Sequence, residues 1–129
     1  GMEPPFLTLE EVLEIHRDEI ERHGGTLGVR DNGLLESAVA TPQSRFGGHY
    51  LHGDLYEMAA ACLFHLVQNH PFLDGNKRVG AATALVFLTM KGVETKMTNQ
   101  MLVDMVLAVA KGKMDKPAIA GFFRKHSRS

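Results

Sequence analysis

Within nine positions of a 129-residue chain, His70-Pro71-Phe72-Leu73-Asp74-Gly75-Asn76-Lys77-Arg78 brings together an imidazole, a carboxylate, a carboxamide and two cations. Gly75 allows a positive φ and a close approach of ligand to backbone, and a helix starting at Asn76 would turn its unpaired N–H groups outward. That is an anion site. The partial positive charge of the helix start, reinforced by Lys77 and Arg78, suits a di- or triphosphate, with the guanidinium able to grip two oxygens at once. One carboxylate such as Asp74, with phosphate oxygens and water, is the usual way Mg²⁺ is held, because this ion gives up its water shell reluctantly. His70, four residues before Asp74, is placed to accept a proton from an attacking hydroxyl, imidazole being the side chain that ordinarily titrates nearest neutrality. Positioning, charge neutralisation and a base are the recurring parts of phosphoryl transfer. Taken singly, each group has a plainer explanation: a His at a helix end complements the dipole, Asp-Gly-Asn makes a turn, and Lys-Arg is a solvated face. Their coincidence in one loop is what points to chemistry.

The flanking elements must hold these groups in place. Thr8 with Glu11 forms a capping box ahead of Leu9, Val12, Leu13, His16 and Ile20, which predicts a helix up to Gly24-Gly25. The turn cluster Arg30-Asp31-Asn32-Gly33 launches a short helix from Leu34 to Ala40, stopped by Pro42. Residues 41–53, rich in Gly, His and aromatics, read as an exposed loop or small hairpin. Asp54 with Glu57 caps a long helix in which Leu55, Met58, Ala59, Cys62, Leu66 and Asn69 share one side, ending near His70-Pro71. From Asn76 to Met90 the chain is apolar on nearly every side before Lys91-Gly92, the pattern of a helix buried all round and expected at the centre. Met97, Met101 and Met105, with Leu102, Val106 and Val109, predict an amphipathic helix, and residues 115–126 a last one. No run outside the Gly-rich loop alternates at period two, so the chain reads as all-α, one domain over residues 2–129, with Gly1 a cloning remnant.

Composition narrows the function further. Fourteen Lys and Arg against fifteen Asp and Glu leave a charge of -1, without the basic excess that sequence-independent nucleic-acid binding draws on, so no direct nucleic-acid contact is expected. The single cysteine, Cys62, excludes an intrachain disulfide and a Cys-based zinc cluster, and its apolar neighbours predict a buried thiol suited to a reducing cytoplasm. The longest uncharged apolar stretch, Val79 to Met90, falls short of the roughly 20 residues of a membrane span, so no membrane partner is expected. His49 and His52 read as a target-facing loop, His65 as a satisfied interior or site-lining group, the methionine stripe as core, and His126, Arg128 and Ser129 as a frayed end. No Cys-x-x-Cys, His-Glu-x-x-His, His-Asp or Gly-Lys-Ser/Thr occurs, which leaves zinc hydrolases, HD phosphohydrolases and P-loop enzymes without support.

The loop resembles the signature of the Fic/Doc family, His-x-Phe-x-Asp/Glu-Gly/Ala-Asn-Gly/Lys-Arg, with His70, Phe72, Asp74, Gly75, Asn76, Lys77 and Arg78 in register. Residues 30–38 followed by Pro42 resemble the upstream block of the Doc-like, death-on-curing branch. The resemblance implies a helical bundle in which His70 is the base, Phe72 anchors the loop, Asp74 binds Mg²⁺, and Gly75, Asn76, Lys77 and Arg78 hold the phosphates of ATP or another nucleoside triphosphate. The loop at 41–53 would be the flap on which family members dock a target segment as an added strand, with Gln43, Ser44, Arg45 and Phe46 as its candidates. Lys77 stands where the nucleotidyl-transferring branch has Gly, and Ala81 where that branch has a second Arg; both departures favour a reversed nucleotide and transfer of the terminal phosphate. Gly75 matches the nucleotidyl-transferring pattern instead, which keeps transfer of AMP as an alternative, and a catalytically silent nucleotide- or antitoxin-binding module as a second. Doc-type proteins phosphorylate a hydroxyl of elongation factor Tu, so the resemblance implies a translation-arresting toxin. No Glu followed by Gly or Asn occurs, so the inhibitory helix of the family is missing and the expected regulator is a cognate antitoxin whose disordered tail folds on binding.

Overall fold

The helices expected from capping and periodicity are all present in the computed structural model, which describes residues 6–128. Helix α1 (Leu9–His23) starts at Thr8, whose hydroxyl accepts the Glu11 N–H while the Glu11 carboxylate accepts the Thr8 N–H. Helix α2 (Asn32–Ala40) starts two residues before the expected Leu34, because Asp31 caps it through the Leu34 N–H. A 3-10 turn at Thr41–Gln43 buries Pro42 and leads into a two-stranded hairpin. Its strands β1 (Arg45–Phe46) and β2 (His49–Tyr50) pair antiparallel, Arg45 opposite Tyr50 and Phe46 opposite His49. Helix α3 (Leu55–Asn69) is capped by Asp54 through the Glu57 N–H; the Glu57 carboxylate reaches the N–H of Gly53 rather than of Asp54, so the box is incomplete. Then follow α4 (Asn76–Met90), β3 (Glu94–Thr95), α5 (Asn99–Ala110), α6 (Lys116–Lys125) and β4 (Ser127–Arg128). The result is a helical bundle with two minimal antiparallel sheets.

The core lies along α3, which packs against α4, α6, α2 and α5. This corrects the expectation that α4 is enclosed on all sides. Met58 through Leu63, Leu66 and Val67 of α3 are all buried, whereas Val86 and Met90 of α4 are exposed. The two helices touch at Gly80, where an added Cβ would lie 2.8 Å from Val67 Cγ2 and 3.4 Å from the Leu63 carbonyl oxygen. Leu63, Leu66, Phe72, Leu88, Ile119 and Phe123 are fully enclosed, each such side chain contributing about 1.5–3 kcal/mol of transfer free energy. Cys62 is a buried free thiol, and burial pushes its pKa up to about 12, which leaves it unreactive at neutral pH. The C-terminal end is not frayed as expected: Ser127–Arg128 pair with Glu94–Thr95, and the Lys96 N–H reaches the His126 carbonyl at 2.5 Å; Ser129 lies outside the described residues. Among the described residues no helix is long and apolar enough to cross a membrane.

Candidate active site

The loop joining α3 to α4 is held from three sides. His70 ends α3 in the left-handed conformation, φ +49° and ψ +56°, and is the single non-glycine residue with positive φ among those described. Such a backbone costs about 1–2 kcal/mol and persists where its surroundings enforce it. Arg30 does so, donating from Nε to the His70 carbonyl at 2.6 Å and from Nη2 to the Asn69 carbonyl at 2.8 Å. The N–H groups of Arg30 and Asp31 both bond the Pro71 carbonyl, at 2.7 and 3.0 Å, and the Leu73 N–H bonds Gly28, so residues 28–31 act as a splint. On the second side the buried Phe72 ring stacks on His16 of α1, centroids 3.8 Å apart and nearly parallel, while His16 Nε2 lies 2.7 Å from the Asp74 carbonyl oxygen. On the third, Asn76 clamps Phe72 reciprocally: Oδ1 accepts the Phe72 N–H at 2.9 Å and Nδ2 donates to its carbonyl at 3.0 Å.

The chemistry-bearing groups sit on this frame. The His70 side chain is exposed and makes no hydrogen bond among the described residues. Asp74 accepts the Thr26 N–H on Oδ2 at 3.1 Å and the Gly75 N–H on Oδ1 at 2.8 Å, and these two donors hold its carboxyl below the usual carboxylate value. The approach is close enough to exclude a side chain at position 25, since a Cβ on Gly25 (φ +124°) would lie 2.6 Å from Asp74 Oδ2. Gly75, at φ +76°, starts α4 without a capping side chain. Every other helix has one: Thr8, Asp31, Asp54, Thr98 and Asp115. The first N–H groups of α4 are therefore left for solvent or an anion. Lys77 is exposed beside them and makes no ion pair among the described residues. Arg78 donates from Nη1 to the Gly24 carbonyl at 2.8 Å and more weakly to that of Glu19 at 3.4 Å, which satisfies the C-terminal end of α1 and leaves its other donors to the loop side. The group fits a hard divalent cation with phosphates, because Asp74 is a partly exposed, ionised oxygen donor and each of its oxygens keeps a second lone pair.

The structure thus gathers His70, Asp74, Gly75, Asn76, Lys77 and Arg78 around one loop and helix start, with one change of role. The Asn76 side chain points inward and secures the loop, so only its backbone N–H is open to a phosphate. The flap candidates form a separate element. Gln43 belongs to the 3-10 turn, its Nε2 3.5 Å from the Val39 carbonyl, and Ser44 accepts the Leu51 N–H through its own carbonyl. Arg45 lies over the Tyr50 ring at 4.4 Å and Phe46 is 83% exposed. His16, Thr26 and the Arg30 side chain are positioning groups that sequence reasoning did not assign; a His among the apolar positions of α1 was the signal for the first. His65 differs from expectation, for its Nε2 is buried without a hydrogen-bond partner, as is Nδ1 of His52. Among the described residues no cluster of three or more His, Cys, Asp or Glu is arranged to hold a metal by itself.

Against known proteins, a family model described as the Fic/DOC family matches residues 6–88, more than half of the chain. Protein kinase doc of Escherichia phage P1 is 31% identical over 116 residues, covering 90% of both chains. Toxin Doc of Mycolicibacterium smegmatis is 48% identical over 71 residues, 55% of this chain and 55% of that protein, so this alignment spans just over half of the relative's length.

Proposed function

The chain belongs to the Fic/DOC family, and from that premise we propose that it is a toxin of a toxin-antitoxin pair that transfers the terminal phosphate of ATP to a hydroxyl of a translation factor, elongation factor Tu. Support comes from the names of its relatives, a toxin and a protein kinase. The observation that carries the reading is the loop itself: an exposed imidazole, an ionised carboxylate and an exposed ammonium beside an uncapped helix start.

In this mechanism the N–H groups at the start of α4 and the Lys77 ammonium hold the phosphate oxygens, with the free guanidinium donors of Arg78 beside them. The target hydroxyl oxygen forms a bond to the terminal phosphorus as the bond from that phosphorus to the bridging oxygen breaks, ADP leaves, and a ring nitrogen of His70 takes the hydroxyl proton. Asp74 is the residue that would hold Mg²⁺, which when bound neutralises charge on the phosphates. Arg30 serves as a positioning residue, since its grip on the Asn69 and His70 carbonyls fixes where the imidazole stands. The β1–β2 hairpin, with Phe46 83% exposed, is the element that receives a target segment as an added strand. A cognate antitoxin acting in trans is the regulator this reading requires.

Intact-mass measurement of elongation factor Tu, incubated with the protein, ATP and Mg²⁺, tests the proposal. One added phosphoryl group is expected, with a fall of about 10²–10⁴-fold in rate for His70→Ala. An increment of AMP assigns the chain to nucleotidyl transfer, and nucleotide binding with no transfer to the factor makes it a silent module.

A further inference from the structure

Two imidazole nitrogens, Nδ1 of His52 and Nε2 of His65, are enclosed without a hydrogen-bond partner among the described residues, and the phosphotransfer reading uses neither ring. His52 stands at the root of the hairpin, between β2 and the Asp54 that caps α3, and His65 lies well along α3. Asn69 Nδ2 is 3.4 Å from His65 Nδ1; with Asn69 donating, Nδ1 accepts and the ring proton sits on Nε2, where nothing receives it. A third basic group comes from α6. Lys116, its first residue, is partly buried and makes no ion pair among the described residues. The Lys116 Nζ lies 5.8 Å from the centre of the Phe64 ring, against which the His65 ring stands edge-on at 5.4 Å. Burial and the Lys116 charge hold both imidazoles below their ordinary pKa, so at neutral pH one ammonium faces two uncharged rings. The carboxylates around them are already engaged. Glu57, which faces His52, accepts the Gly53 N–H at 2.6 Å, Asp54 is paired with Arg124 at 2.7 Å, and Asp115 accepts the Ala118 N–H at 3.0 Å.

We propose that His52, His65 and Lys116 form an oxyanion site where the hairpin root, α3 and α6 meet, taking a carboxylate or phosphate group on Lys116 Nζ, His65 Nε2 and His52 Nδ1. An oxyanion answers all three groups at once: an N–H without an acceptor, an ammonium without a counter-ion, and a ring nitrogen that becomes a donor on protonation. A metal cation answers them less well, because the ammonium repels it and no set of three His, Cys, Asp or Glu ligands is arranged to hold one among the described residues. Access lies past the side chains of His52 and Lys116, which are both partly exposed. Since a bound anion favours the protonated rings, binding takes up protons and tightens as pH falls toward the imidazole range. A filled site ties the root of the hairpin to α3 and α6. None of its residues belongs to the loop at 70–78, so the inference stands apart from the phosphotransfer reading.

The test follows the histidine side-chain resonances of the isotope-labelled, full-length protein by NMR as sodium acetate, sodium phosphate or, at matched ionic strength, sodium chloride is added. Expected are saturable shifts of His52 and His65 with the oxyanions and none with chloride, a rise in both imidazole pKa values when the anion is bound, and affinity increasing about threefold or more from about pH 7.5 to about pH 6. Response to acetate and phosphate alike makes the site a general oxyanion site, and response to one of them names the group it takes. Lys116→Gln should weaken binding about tenfold, the size of one charge-assisted hydrogen bond, with melting temperature as the check of folding. Phosphate held at the start of α4 is told apart by repeating the titration in Lys77→Gln, which should leave the His52 and His65 shifts as they are. Equal shifts with chloride, unchanged affinity in a folded Lys116→Gln, tighter binding at higher pH, or shifts that vanish with Lys77 would each overturn the proposal.

Discussion

The loop at 70–78 is anchored in the core by the ring of Phe72, and individual hydrogen bonds order the rest of it. Asn76 is the clearest case. Its carboxamide satisfies both the N–H and the carbonyl of buried Phe72, and truncation leaves two enclosed polar groups without partners, at about 1–3 kcal/mol each for such a loss. Asn76→Ala is therefore expected to destabilise the protein by at least about 1–3 kcal/mol in urea titration, and to slow transfer by loosening the loop. A variant of unchanged stability would return Asn76 to a purely phosphate-binding role. His16 and Arg30 act in the same way from outside the motif, one by stacking on Phe72 and the other by gripping two carbonyls as a fork that Lys cannot reproduce. Their contribution was invisible in the spacing of residues because it depends on chain segments 40 to 60 positions away.

At the level of elements, α3 decides the stability of the whole. Its closest neighbour crosses at Gly80, where a larger side chain meets Val67 and the Leu63 backbone. Gly80→Val removes a flexible residue from a helix interior, worth roughly 0.5 kcal/mol in favour of the variant, but overpacks the contact by about 1–3 kcal/mol, so net destabilisation is expected on thermal unfolding. A second consequence lies where α3 meets the base of the hairpin and the start of α6. His65 and His52 are half-buried, and burial first, then the neighbouring Lys116, lowers both pKa values below the ordinary 6.5; Glu57 opposes this at His52, and His52 adds to it at His65. Because the unfolded chain takes up these protons before the folded one does, stability is full above pH 6.5 and declines as pH falls below it. A melting temperature that falls between pH 7.5 and 5.5, with a shallower fall in His65→Gln, is the expected result; a flat profile in the parent protein would show that neither imidazole is desolvated enough to matter. Periodicity and caps located these helices correctly, since both signals are local. Which helix lies deepest was misjudged, because α4 reads as apolar all round and α3 as one-sided, while burial is settled by how many neighbours assemble on each.

For the molecule as a whole, the functional surfaces are divided. On the proposed reading the loop at 70–78 would supply the chemistry and the β1–β2 hairpin would offer its exposed Phe46 to a target segment. Phe46→Asp is accordingly expected to raise the KM for the protein target about tenfold or more while leaving ATP affinity unchanged, measured by transfer kinetics and by nucleotide titration. Equal loss of ATP binding would place the hairpin over the nucleotide instead. Family membership, the helical class and the loop carrying the candidate chemistry could all be read from the order of residues, because caps, turn glycines and the spacing of a motif are short-range properties of a chain. The inward turn of Asn76, the stack of His16 on Phe72, the pairing of Ser127–Arg128 with Glu94–Thr95 and the bare side of α4 could not. Each of these depends on distant segments competing for the same space and the same hydrogen-bonding groups, and that competition is resolved in three dimensions.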